Sequence, residues 1–201
     1  MEPNYIFPIE GFKNTVFLKP LIADSGVTNV HADDYSYYSD FEDPTKFLTK
    51  NVLYNFGISG SSIYIGKFCA FASGVQFIMP DANHVTSGIT TYPFAVFSEK
   101  WAEALALSGY PFKKYKDTVI GNDVWLGYDV TIMPGVNVGH GSIVGAKSVV
   151  STDIPPYSIA VGNPAKVVKT RYVETEQKML ILVKGDIPKI MEFSQQHGLE
   201  P

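Results

Sequence analysis

Among the side chains of this 201-residue chain, four histidines are best suited to move a proton near neutral pH, and their settings differ. His84 stands in Ala82-Asn83-His84, within an aperiodic stretch. With one ring nitrogen free and the other held by a hydrogen bond, it is a candidate general base. His31 and His140 lie in periodic segments and read as surface residues, and His197 lies in an end that reads as frayed. None has the spacing of a metal-ligand set, so no metal is expected. The single cysteine, Cys69, has no disulfide or CxxC partner and sits in an apolar stretch, which reads as a packed core residue in a reducing cytoplasm. No G-x-S-x-G elbow offers a serine nucleophile. Lys166, Lys169 and Arg171 form a basic cluster that serves either phosphate binding or a solvated face.

The elements that must position these groups show themselves by a period. An aliphatic residue recurs every six positions at Ile120, Leu126, Ile132, Val138, Val144 and Val150. The next residue is small at Gly121, Gly127, Gly139, Gly145 and Ser151. A second set runs two residues earlier through Val124, Val130, Val136, Ser142 and Ser148, and Ile65-Gly66, Phe71-Ala72 and Phe77-Ile78 keep the same phase. A helix repeats near 3.6 and a plain strand near 2, so a period of six indicates a hexapeptide β-helix. Each unit is one short strand and one corner, three faces close a triangular coil, and the aliphatic residue stacks inward. The small residue is expected to turn the corner, where a larger one would crowd the bend. Stability must come from stacking coils. A β-sandwich is the competing fold, and strict register over six positions argues against it.

Residues 1–29 read as an irregular arm, 32–38 as a damaged first rung, and 39–51 as an exposed loop or turn. The period vanishes over 79–118, an excursion that contains His84, Pro93, Trp101 and Pro111, and excursions of that length are usually functional. Glu99 to Leu107 suggests a short helix within it. After Pro155-Pro156 one last coil-like stretch runs from Ile159 to Pro164. The division is a β-helix domain over 1–172 and a tail of two short helices over 173–201. Net charge of −4 gives no pull toward nucleic acid, no apolar run is long enough to span a bilayer, and no signal peptide is evident at the N-terminus.

Seven motifs in order narrow the choice among hexapeptide proteins: Tyr35-Ser36-Tyr37-Tyr38, Ile65-Gly66-Lys67-Phe68-Cys69, Phe77-Ile78-Met79, Ala82-Asn83-His84, Thr91-Tyr92-Pro93-Phe94, Gly121-Asn122-Asp123-Val124-Trp125 and Gly162-Asn163-Pro164-Ala165-Lys166. Over about residues 5–172 they resemble the xenobiotic acetyltransferase family, which includes streptogramin A and type B chloramphenicol acetyltransferases; Pro8-Ile9-Glu10-Gly11 and the ANH…TYPF pair look closer to the streptogramin branch. The chain departs from the pattern at Ala70, at Val85-Thr86 and in Val183 to Pro188, which lacks the family's tryptophans.

The resemblance implies a mostly β, left-handed parallel β-helix with an excursion loop and a small C-terminal helical tail, assembled as a homotrimer. It implies that His84 is the catalytic base and that an alcohol attacks acetyl-CoA directly in a ternary complex. Trp125 would lie near the thioester, and Asn163 and Pro164 would line the slot between subunits. Gly127, Gly145 and Ala146 have the small side chains an extended pantetheine arm requires, and Lys166, Lys169 and Arg171 are candidates for its phosphates. The resemblance places Tyr37, Tyr38 and Phe56 around an apolar acceptor, with Tyr54 and Asn83 nearby and Phe17 and Leu18 contributed as a lip by a neighbour. The aromatics equally suit trimer packing, and Trp125 equally suits core or interface. Other acceptors are chloramphenicol or a sugar, and a non-catalytic hexapeptide trimer is the remaining alternative.

Overall fold

The computed structural model describes residues 3–84, 90–107 and 115–171, together with Glu192 and Gln195. Strand β1 (Thr15–Phe17) and helix α1 (Leu18–Ala23) come first. The first coil is β2 (Val30–Ala32), β3 (Tyr37–Ser39) and β4 (Val52–Leu53), with the short helix α2 (Phe47–Lys50) before β4. The second is β5 (Ile63–Ile65), β6 (Ala70–Phe71) and β7 (Gln76–Ile78). The excursion follows, with a 3-10 turn at Pro80–Ala82 and helices α3 (Phe94–Phe97) and α4 (Glu99–Leu107), the last where the sequence suggested one. The third coil is β8 (Thr118–Ile120), β9 (Trp125–Leu126) and β10 (Thr131–Ile132). The fourth is β11 (Asn137–Val138), β12 (Ile143–Val144) and β13 (Val149–Val150), capped by β14 (Ser158–Val161) and the antiparallel β15 (Lys166–Thr170).

Three sheets form the faces of a prism, in the orders β1-β3-β6-β9-β12-β14-β15, β4-β7-β10-β13 and β2-β5-β8-β11. Pairing between successive coils is parallel, and the fold is the left-handed parallel β-helix. The predicted stack is visible in the register. Tyr38, Phe71, Leu126, Val144 and Ala160 follow one another on one face, and Val52, Phe77, Ile132 and Val150 on another. All are buried, and each fully buried large aliphatic or phenylalanine contributes about 1.5–3 kcal/mol. Ser142 and Ser148 continue the second column by satisfying their hydroxyls, toward the Pro155 carbonyl at 2.9 Å and from the Gly162 N–H at 2.9 Å.

Three expectations are corrected. The 1–29 arm is not irregular throughout: β1 pairs antiparallel with β3, and Val16, Leu18 and Ile22 close the first coil. A single antiparallel strand leaves no six-residue signature. Residues 32–38 belong to an intact rung, whose inward positions are filled by Ser36 and Tyr38 instead of aliphatics. The small residues also act differently. The left-handed corners fall at other positions, Tyr35, Phe68, Gly74, Asp123, Asp129, Gly135, Gly141, Lys147 and Tyr157, with φ of 56–77°. Gly121, Gly127 and Gly139 are small because the backbone of the next coil lies where a Cβ would go, at 2.6, 2.8 and 2.4 Å. The proposed tail, 173–201, falls outside the described residues apart from Glu192 and Gln195.

Candidate active site

His84 is placed by the end of β7. Met79 is buried and its N–H donates to the Leu53 carbonyl at 2.9 Å. Pro80 then starts the 3-10 turn, closed by the Asn83 N–H on the Pro80 carbonyl at 2.9 Å. Asn83 and His84 emerge exposed. The His84 Nδ1 lies 2.6 Å from the Thr91 carbonyl oxygen. A carbonyl only accepts, so Nδ1 carries a proton, and in the neutral ring the lone pair is then on Nε2. That is the tautomer a general base needs. Residue type alone marks no role for Thr91; its signal is the pairing of ANH with TYPF across a short gap. After Thr91 the chain forms an aromatic cluster, with Tyr92 and Phe94 ring centroids 4.7 Å apart and Phe94 and Trp101 5.1 Å apart.

Tyr54 and Phe56 leave β4 on the loop beside that turn and are 50% and 66% exposed. Asp81 ties the two segments together, accepting the N–H groups of Phe56, Ile58 and Ser59 at 2.7, 3.1 and 2.9 Å. Burial would raise the Asp81 carboxyl, but these hydrogen bonds outweigh it and hold it below the ordinary carboxylate range. Tyr37 is partly exposed on β3, a different face of the prism. The other proposed acceptor contacts are not available. Tyr38 is 1% exposed, and its hydroxyl donates to Asp40 at 2.5 Å and accepts from Asn51 at 2.9 Å. Burial first, and the Asp40 bond second, push that phenol up to about 12. Phe17 and Leu18 are likewise buried in the end of the prism. Tyr38 and Leu18 belong to the core of the first coil, whereas Phe17 pairs with Tyr37 and packs edge-on against Tyr35 with ring centroids 6.0 Å apart, so within one protomer none of the three offers an acceptor a free surface.

The donor-side residues lie elsewhere. Trp125 is 54% exposed, in an outward row with Tyr37, Ala70, Ile143 and Ile159 on successive strands. Gly127 faces Ala146 on the next coil, and Gly145 faces Val161 above it. The exposed Asn163-Pro164 turn is held at both ends by Val149, whose N–H donates to the Gly162 carbonyl at 3.0 Å and whose carbonyl accepts from Ala165 at 2.8 Å. These residues share one side and the corner that follows it. The basic trio does not converge there. Lys166 pairs with Val161 and Lys169 with Ile159, both exposed, whereas Arg171 lies beyond the opposite end of β15, next to Tyr157. Its guanidinium donates to the Gly141 carbonyl at 2.6 Å and to Asp123 at 3.4 Å. Arg171 thus closes the top coil, which corrects its assignment to the phosphates.

A hexapeptide prism interrupted by an excursion that presents one tautomer-fixed histidine is the architecture of a hexapeptide-repeat acyltransferase. The family model described as "Bacterial transferase hexapeptide (six repeats)" matches residues 117–152. A probable macrolide acetyltransferase of Lysinibacillus sphaericus is 49% identical over 142 residues, 70% of this chain and 76% of that protein. A virginiamycin A acetyltransferase of Staphylococcus aureus is 42% identical over 177 residues, covering 85% and 75%. A chloramphenicol acetyltransferase of Klebsiella aerogenes is 36% identical over 160 residues, covering 76% and 73%. The chain belongs to the hexapeptide-repeat xenobiotic acetyltransferases, and it is an acetyltransferase.

Proposed function

We propose that the protein transfers acetyl from acetyl-CoA to a hydroxyl of a large apolar antibiotic, a group A streptogramin, with His84 as general base. The observation that carries the reading is the Nδ1 contact with the Thr91 carbonyl, which leaves Nε2 free to accept a proton. As the alcohol oxygen bonds to the thioester carbonyl, Nε2 takes the hydroxyl proton. The tetrahedral intermediate then collapses, the carbon–sulfur bond breaks, and the imidazolium returns the proton to the CoA thiolate. An ester and free CoA leave, and the histidine is neutral again. Exposed Tyr54 and Phe56, on the loop bonded to Asp81, and the Tyr92–Phe94–Trp101 cluster that follows Thr91 suit an apolar acceptor better than a sugar.

The donor-side row of Trp125, with Gly127, Gly145, Ala146, Asn163, Pro164, Lys166 and Lys169, sits on a different part of the prism from His84. One protomer therefore holds the two half-sites apart, and a homotrimer that sets one protomer's row against a neighbour's excursion completes them. A cytoplasmic setting supplies the acetyl-CoA. A macrolide acceptor is the second reading, favoured by the relative that is 49% identical.

Release of free CoA is followed with a group A streptogramin, a macrolide, chloramphenicol and a galactoside as acceptors. Turnover is expected with the streptogramin and should fall by about 10²–10⁴-fold in His84→Ala. Turnover with the galactoside alone, or an active His84→Ala, would refute the proposal. Light scattering should give a trimer.

A further inference from the structure

The loop that carries Tyr54 and Phe56 has little of its own to fix its shape. Tyr54, Gly57 and Gly60 have φ of 58°, 73° and 66°. The side chains of Tyr54, Phe56 and Ile58 are at least half exposed, so no core holds them. At its near end, Asn29 and Asn55 exchange amide hydrogen bonds of 2.7 and 3.1 Å. Its middle hangs on one carboxylate. Asp81 Oδ2 accepts from the Phe56 and Ile58 N–H groups, and Oδ1 from that of Ser59. Among the described residues, none of the ion pairs involves Asp81. Among the described residues, the Ser59 side chain and backbone amides, not a cation, balance this anion, and hydrogen bonds to a charged acceptor are the stronger kind.

Asp81 also belongs to the segment that bears the base. It lies within the 3-10 turn Pro80–Ala82, and the bond from Asn83 to Pro80 closes that turn immediately before His84. The β4–β7 register, Val52 to Phe77 and Leu53 to Ile78, aligns the two segments only up to the point where they leave the prism. Beyond it, the carboxylate is the cross-link between them.

We infer that Asp81 is a positioning residue: it locks the Phe56–Ser59 backbone to the turn that carries His84 and so sets the span between acceptor wall and base. The inference rests on the assignment of His84 and of Tyr54 and Phe56 given under the proposed function. Among the described residues, the Asp81 hydrogen bonds run to the Phe56–Ser59 backbone and not to the residues proposed for the donor, so losing it weakens the acceptor's hold and spares that of acetyl-CoA.

Asp81→Asn keeps the shape, removes the charge and turns an N–H₂ group toward one of the three amides. With a group A streptogramin and acetyl-CoA varied separately, the acceptor KM should rise by about ten- to hundredfold while the acetyl-CoA KM stays within about twofold. Asp81→Glu retains the charge but adds a methylene, so it should raise the acceptor KM by an intermediate factor; if the Asn variant fails to fold, the Glu variant decides by the same split. A purely structural role would raise both KM values or lower kcat alone. Either result, or an unchanged acceptor KM, overturns the inference. His84→Ala measured alongside separates the two layers. If it destroys turnover while the Asp81 variants show no split, only the inference fails; if it remains active, the assignment of the base fails and takes the inference with it.

Discussion

Gly121→Ala tests why this chain needs a small residue every sixth position. A Cβ at Gly121 would lie 2.6 Å from the His140 amide nitrogen, 2.9 Å from its Cα and 3.0 Å from the Gly139 carbonyl carbon. All three are backbone atoms of the next coil, and the Gly121 N–H is already bonded to the Val138 carbonyl at 2.8 Å. Relief requires prising two coils apart. Overpacking of this kind costs about 1–3 kcal/mol, and a rigid backbone neighbour argues for the upper half. Against it, replacing glycine by alanine stiffens the unfolded chain and returns about 0.4–1 kcal/mol. The net is a loss of about 1–2.5 kcal/mol, which lowers Tm by about 2–10 °C for a domain of this size. Gly26 is the control, because its φ is +75° but nothing lies within 4 Å of its Cβ position. Gly26→Ala carries only the left-handed penalty of about 1–2 kcal/mol, offset by the same entropy term. Thermal melts at one fixed protein concentration should rank Gly121→Ala as the more damaging. The opposite ranking would mean that the bend, and not the approach of coils, demands the small residue.

Three further outcomes follow from the site and its surroundings. Nitrogen-15 NMR of the histidine rings above pH 8 should show His84 protonated at Nδ1, as the Thr91 carbonyl requires, and a proton on Nε2 would remove the base from the mechanism. The Cys69 thiol is pushed up to about 12 by burial, so a thiol reagent at pH 8 should label it only after unfolding; rapid labelling of the native protein would contradict its place in the core. On Asp81 and Asp40 alike, burial is outweighed by hydrogen bonds, from Ser59, Ile58 and Phe56 on the first and from Tyr38, Glu42 and Ser73 on the second, leaving both below their ordinary value. A carboxyl lowered on folding stabilises above its unfolded pKa and loses that contribution as pH falls through the folded one. Unfolding free energy should therefore drop below about pH 4, less steeply in Asp81→Asn, and identical slopes would discount the Asp81 hydrogen bonds.

Where the chain repeats, the structure could be read ahead of time, and where it does not, spacing had nothing to report. Ile120 to Val150 stack as their period requires, because one inward position per rung is a local rule repeated. Ser36 and Tyr38 obey the same geometry with polar atoms, satisfied by Gly66, Cys69, Asp40 and Asn51, so their rung looked damaged. The motif singles out His84, but the group its ring meets is a main-chain carbonyl, which has no residue type to search for. The resemblance places Tyr38 at the acceptor, and Phe17 and Leu18 read as a lip from a neighbour, yet the direction of each side chain depends on strand phase in a first coil that has no six-residue signature. Arg171 was grouped with Lys166 and Lys169 by proximity in sequence. A strand of five residues, Lys166–Thr170, is enough to carry its guanidinium to Asp123 at the opposite corner.

The position of the excursion keeps its described side chains apart from the inward columns of the prism. The chain leaves after β7 and returns at β8, and between these points the stack shows no break. Ile63 pairs with Thr118 and Ile65 with Ile120 across the gap, while Gln76 and Phe77 pair with Thr131 and Ile132. The re-entry is fastened by Asp117, which accepts the Ser62 N–H at 2.8 Å, and by the Thr118 N–H on the Ser62 carbonyl at 2.9 Å. The core therefore gains nothing from the excursion's length and loses little by it, since doubling a loop costs only about 0.6 kcal/mol of closure entropy. Residues such as Tyr92, Phe94 and Trp101 can be exchanged without disturbing an inward column. The row proposed for the donor lies instead on β6, β9, β12 and β14, where each of its residues alternates with a core position on the same strand.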